Sequence, residues 1–148
     1  MEQNIRTLVD YFNSIRESNT FEWSKDYVVT SGKPGHLEMT FTTDVIRHMN
    51  FHGAVQGGVY MTFSDILMGV SCFTLGRQVV TMEIKGNFIK SCRAGEVLRG
   101  VGNVEHNGKN TLVATSRIYD SVGELVYMGT GTFYAIGEHK LPDLPWHL

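Results

Sequence analysis

Apolar and polar residues alternate along this chain with two different periods, and the change of period marks its elements. Ile5, Leu8, Val9, Phe12 and Ile15 recur at helical spacing, which predicts an amphipathic helix over residues 4–17. Tyr27-Val28-Val29-Thr30 reads as a strand, and Ser31-Gly32-Lys33-Pro34-Gly35 as a turn. Leu37, Met39 and Phe41 then alternate with His36, Glu38, Thr40 and Thr42, the pattern of a half-buried strand. From residue 59 to 75 the texture changes. Val59, Met61, Phe63, Ile66, Leu67, Val70 and Phe73 wrap most of the way around a helix, so it should be buried on nearly all sides. Beyond it the period returns to two. Over residues 78–90, Val80, Met82, Ile84 and Phe88 are predicted to share one face. Residues 96–106 and 110–119 form two further strands joined at His106-Asn107-Gly108-Lys109. Asp120-Ser121-Val122-Gly123 turns the chain into a last strand over 124–136, and the tail, with two of the three prolines, is predicted to wrap the surface.

A helix apolar on nearly all sides needs a wrapping layer, and an antiparallel sheet of about six strands is the partner available. The expected fold is α+β: a curved antiparallel sheet around one long central helix, with an extra N-terminal helix. The 148 residues suit a single domain, 1–148. With 42% hydrophobic and 11% aromatic residues the chain is not disordered. A net charge of −2 lacks the basic excess of a nucleic-acid binder. No apolar run approaches the ~20 residues that span a bilayer, and the first ten residues hold no signal-peptide core. We therefore expect a cytoplasmic protein with neither a nucleic-acid nor a membrane partner. Cys72 and Cys92 read as buried free thiols. Glycine is in excess, at 16 residues against a usual ~7%.

The informative stretch is Asn50-Phe51-His52-Gly53-Ala54-Val55-Gln56-Gly57-Gly58, followed by the helix that carries Asp65. An Asn, a short loop, a glycine pair and an acid about two helical turns later resemble the hotdog-fold acyl-CoA thioesterases of the phenylacetate-degradation type. The resemblance continues through Thr81-Met82-Glu83-Ile84-Lys85-Gly86-Asn87-Phe88 and Gly123–Phe133, and spans roughly residues 36–136. It implies an acyl-CoA substrate, coenzyme A as part of that substrate rather than a cofactor, and a homodimer, possibly a tetramer, with sites at the subunit interface. This chain departs from the family at two points. Gln56 stands where a His usually precedes the glycine pair, and Ser91-Cys92-Arg93 lacks a proline often found there.

The chemistry also follows from the residue types. A thioester carbonyl under attack needs donors for its developing negative charge, and unpaired amides at a helix N-terminus supply them. Gly57 and Gly58 leave those amides approachable. Asp65 is the acid on that helix, available as nucleophile or general base. Gly57 and Asp65 are eight residues apart, roughly 12 Å along one helix. Both cannot act on one carbonyl, so two antiparallel copies of the helix are expected to complete each site. Asn50 would orient substrate or water. Gln56 can donate a hydrogen bond but carries no proton. Thr81 matches a family position that often bears a hydroxyl, and His52 is a second polar group near the glycines. Lys90, Arg93 and Lys109 follow strand ends and are candidates for the coenzyme A phosphates. Six histidines occur without HExxH or Cys-x-x-Cys, so no metal is expected. Gly100-Val101-Gly102-Asn103 is not a dinucleotide fingerprint, and no elbow motif surrounds Ser64. A non-catalytic acyl-CoA-binding module is the alternative function, and a hotdog dehydratase a third.

Overall fold

The computed structural model describes residues 4–148. Helix α1 (Leu8–Arg16) starts four residues after the predicted boundary, because Thr7 and Asp10 form a reciprocal capping box there. The Asp10 amide donates to Thr7 Oγ1 at 3.1 Å, and the Thr7 amide donates to Asp10 Oδ2 at 3.0 Å. A 3-10 helix that the periodicity does not reveal, Glu22–Asp26, leads into β1 (Tyr27–Lys33). The turn is shorter than expected: β1 runs to Lys33, and only Pro34-Gly35 separates it from β2 (His36–Thr42). Then follow α2 (Gly57–Phe73), β3 (Arg77–Phe88), β4 (Val97–Asn107), β5 (Thr111–Tyr119) and β6 (Leu125–Glu138). All pairings are antiparallel, and the sheet order is β1-β2-β4-β5-β6-β3. The expected α+β arrangement, six strands curved about a central helix, is what forms.

Two strand glycines make room for the central helix. A Cβ at Gly102 would lie 2.8 Å from the Leu67 carbonyl oxygen of α2, and one at Gly129 would collide with Ser64 Oγ. Their missing side chains let α2 settle onto the sheet at backbone contact. Leu37, Met39, Phe41, Phe63, Leu67 and Leu98 are fully buried in the layer between. The tail does wrap the surface. Trp146 stacks on Phe12 with ring centroids 5.7 Å apart, and the Leu8 amide donates to the Pro145 carbonyl at 2.8 Å. Cys72 and Cys92 are buried free thiols, and burial pushes the Cys72 thiol up to about 12.

Two expectations need correction. First, α2 is not covered all round. Val59, Phe63, Leu67 and Met68 face the sheet, whereas Gly58 is exposed and Thr62, Asp65, Ile66, Gly69 and Phe73 are only half-buried. One flank of the helix lacks a partner within the described chain. Second, Val80, Met82, Ile84 and Phe88 do not share a face. A register shift sets Thr81 opposite Phe133 and Glu83 opposite Thr132, which leaves Met82 as the extra residue of a bulge. A one-residue slip inverts every later side chain. Thr81 before the bulge therefore faces inward together with Ile84 and Phe88 after it. The hairpin between β4 and β5 also turns later than expected, at residues 108–110.

Candidate functional site

The N-terminus of α2 is held by the loop before it. Asn50 Oδ1 accepts from the His52 amide at 2.9 Å and the Ala54 amide at 3.1 Å, so its carbonyl shapes the loop. The His48 carbonyl accepts the Gln56 amide at 2.8 Å. His48 itself is buried between Trp23 and Phe41, with ring centroids 5.2 and 5.3 Å away. Its Nδ1 accepts the Asp44 amide at 2.8 Å, and its Nε2 lies 3.3 Å from Asp26 Oδ2. Arg47 grips the same Asp26 carboxylate through two hydrogen bonds of 2.9 and 2.7 Å. Burial depresses the His48 pKa, with the Asp26 charge opposing it. Gln56 is the N-cap residue, extended at φ −61° and ψ 139°, and its side chain makes no capping hydrogen bond. The first amides of α2, those of Gly57 and Gly58, thus open the helix as uncapped donors. A Cβ at Gly58 would meet nothing within 4 Å. Gly57 opens onto a cleft of about 220 Å³ lined by Val55, Tyr60, Phe88, Ile89, Lys90 and Ser91.

Two turns along, Asp65 accepts a hydrogen bond from Thr81 Oγ1 at 2.7 Å. The bulge at Met82 is what turns Thr81 inward to make it. Asp65 and Thr81 stand at one end of a second cleft of about 270 Å³. Apart from Asn19 and Tyr27, its walls are apolar: Ile66, Val70, Phe73, Val79, Val80 and Phe133, with Gly69 between them. Glycine amides and carboxylate occupy two clefts of one chain, separated by the helix rise between positions 57 and 65. Each cleft holds half of what carbonyl chemistry requires.

The model of the Thioesterase superfamily matches residues 52–127, just over half of the chain and the part that holds Gly57, Asp65 and Thr81. The chain belongs to the Thioesterase superfamily. No curated protein matches its sequence. Among solved structures, this superfamily member is similar to a Streptococcus mutans protein bound to acetyl CoA, with 27% identity over 82% of this chain and 95% of that one at a TM-score of 0.75. A hypothetical thioesterase of Streptococcus pneumoniae solved with coenzyme A is 25% identical, covering 86% and 98% at a TM-score of 0.79. That pneumococcal thioesterase has also been solved as an Asp→Ala and a Thr→Ala variant, the two positions sixteen residues apart. Asp65 and Thr81 are separated by the same sixteen residues. The PaaI protein of the Escherichia coli phenylacetic acid degradation operon shares the fold, at 22% identity over 87% and 94% with a TM-score of 0.78. The fold is the hotdog fold that the resemblance implied.

The remaining site residues of this thioesterase-superfamily chain divide by position. Gln56, Gly57, Gly58, Asn50 and His52 gather at the α2 N-terminus, where His52 is exposed and its ring lies 4.0 Å from that of Phe51. Lys90 borders the Gly57 cleft, but its ammonium already pairs with Asp120 at 3.2 Å and with Glu124. Those carboxylates raise its pKa and offset its charge, Glu124 most strongly. Arg93 is exposed nearby, bridging to Ala54 in the loop. Lys109 lies elsewhere: its carbonyl accepts from Arg77, which opens β3 beyond the C-terminal end of α2. No group of three or more His, Cys, Asp or Glu among the described residues could hold a metal ion. Among the described residues no helix is long and apolar enough to cross a membrane. Sequence reasoning missed the residues lining the Asp65 cleft, above all Gly69. The signal was present: a mid-helix glycine four residues after the acid.

Proposed function

We propose that the chain hydrolyses acyl-CoA thioesters to the free acid and coenzyme A, with Asp65 as the group that drives attack on the carbonyl. The observation that carries this reading is the Thr81–Asp65 hydrogen bond at 2.7 Å beside an apolar cleft. The same pair of residue types, at the same separation, is the one replaced in the pneumococcal thioesterase. In the proposed reaction the C–S bond breaks, water supplies hydroxide to the acyl carbon, and its proton passes to the departing thiolate. Asp65 either attacks first or takes the proton from water. Thr81 fixes one carboxylate oxygen and leaves the other free for this work. The Gly57 amide, with Gly58 allowing close approach, stabilises the oxyanion at the positive end of the helix dipole. Gln56 takes the place of an imidazole as a neutral donor, and Asn50 holds the loop that aims the amides.

Because the two clefts are separated along α2, the active unit is a homodimer in which Gly57 of one protomer serves Asp65 of the other. The unpartnered flank of α2 and the exposed apolar residues of edge strand β3, Val80, Met82 and Phe88, support this assembly. The pneumococcal and Streptococcus mutans complexes support coenzyme A as the carrier. Thiol release from a panel of acyl-CoAs tests the reading. Wild type should turn over at least one member. Asp65→Asn should reduce kcat/KM at least a hundredfold, while Thr81→Ser retains far more activity than Thr81→Val. Binding without turnover across the panel would instead identify an acyl-CoA-binding module.

A further inference from the structure

We propose that Gly69 sets the acyl specificity of this site: the cleft below Asp65 receives an uncharged, apolar acyl group of medium length, and the glycine is the gap that admits it. This inference rests on the thioesterase reading. Gly69 sits in the middle of α2, one turn beyond Asp65 and on the same flank. Its backbone is helical and is absent from the positive-φ glycines. A Cβ there would touch only Phe133 Cε1, at 3.7 Å, an ordinary van der Waals contact. Neither conformation nor packing asks for glycine, yet glycine weakens a helix interior relative to alanine. The contrast with Gly102, where a Cβ would press on the backbone of α2, is direct. The space above Gly69 is therefore kept for something that the chain itself does not provide.

The cleft states what that is. Its volume is about 270 Å³, room for about nine non-hydrogen atoms at ~30 Å³ each, the share of a water in the liquid. Its length from Asp65 to Phe73 is eight helical residues, roughly 12 Å. Phe73 lines the cleft two turns beyond Asp65 and stacks on His139, with ring centroids 5.2 Å apart. Among the described residues no lysine or arginine lines the cleft, so an acyl group ending in a second carboxylate would be buried unpaired beside Asp65.

The test compares wild type, Gly69→Ala and Gly69→Leu with acetyl-, octanoyl-, phenylacetyl-, palmitoyl- and succinyl-CoA. The non-hydrolysable thioethers S-ethyl-CoA and S-octyl-CoA are titrated in parallel by calorimetry, with mass measured by light scattering. Wild type should favour octanoyl or phenylacetyl over succinyl and palmitoyl. Relative to wild type, the octanoyl-to-acetyl ratio of kcat/KM should fall severalfold in Gly69→Ala and at least tenfold in Gly69→Leu. The preference for S-octyl- over S-ethyl-CoA should shrink in step. Chain-length profiles of both variants that superimpose on that of wild type would overturn the inference. So would equal loss on every substrate with a changed mass, which would make Gly69 a contact between protomers. If wild type hydrolyses nothing, the catalytic reading has failed, and the thioether titrations still decide whether Gly69 gauges the chain.

Discussion

The composite site makes a quantitative demand that two defective chains can meet. Gly57 is the first residue of α2, and Gln56 before it sits at ψ 139°. Proline is tolerated at a first helical position, and the residue before a proline favours that extended ψ. Gly57→Pro therefore deletes one N–H at the helix N-terminus; its added carbons press on the Phe88 ring, 3.3 Å from a Cβ there, which is exposed and can shift. Loss of one oxyanion donor typically reduces kcat by about 10²–10³, or roughly 3–4 kcal/mol of transition-state stabilisation. Asp65→Asn disables the other half. Each homodimer then carries one defect in both of its sites. In a heterodimer of the two variants, one site collects both defects and the other collects none. Random pairing of equal amounts makes about half of the dimers mixed, so about a quarter of all sites are intact by this symmetry. Refolding the variants together, followed by thiol-release assay, should restore about 25% of the wild-type rate, from about 1% or less for each alone. A mixture no more active than the average of its parents, with subunit exchange verified by differently tagged chains, would show that each protomer uses its own Gly57 and Asp65. The roughly 12 Å helix argument would then have failed.

Other perturbations test the scaffold. His48 is buried and its pKa is held below the ordinary value of about 6.5, so the unfolded chain binds a proton first as the pH falls. Stability should be lost from about pH 6.5 downward, as protonation would also cost Nδ1 its bond from the Asp44 amide. In thermal unfolding between pH 7.5 and 5, His48→Asn should have a lower Tm at neutral pH but a flatter decline, and parallel slopes would remove His48 as the cause. Gly102→Ala should be destabilising by about 1–3 kcal/mol, because its Cβ meets the Leu67 carbonyl, which cannot rotate away. In a chain of this size that lowers Tm by roughly 3–9 °C. An unchanged Tm would mean that α2 can lift from the sheet at no cost.

The sequence by itself determined the elements and the kind of chemistry. Alternation at Leu37, Met39 and Phe41 specified a strand because side-chain direction in a strand repeats every two residues. The apolar residues from 59 to 73 specified a long central helix, though the sheet covers only one side of it. The glycine pair and Asp65 were legible as candidates because a helix opening on two glycines and a carboxylate two turns along it combine amide donors with an acid. The helix rise between Gly57 and Asp65 is also a sequence-level quantity, and it is what prompts the dimer proposal. What tertiary structure alone decided depended on contacts between distant segments. The bulge at Met82 leaves no mark in the local pattern, because it arises from the register of β3 against β6, and it decides whether Thr81 or Val80 meets Asp65. Lys90 read as a free cation until folding brought Asp120 and Glu124 to it. Among the excess glycines the pattern singled out Gly57 and Gly58 but gave Gly69 no role. Only packing separates Gly102, which the helix backbone forces, from Gly69, which nothing in the chain requires, because the difference lies in what a Cβ would touch.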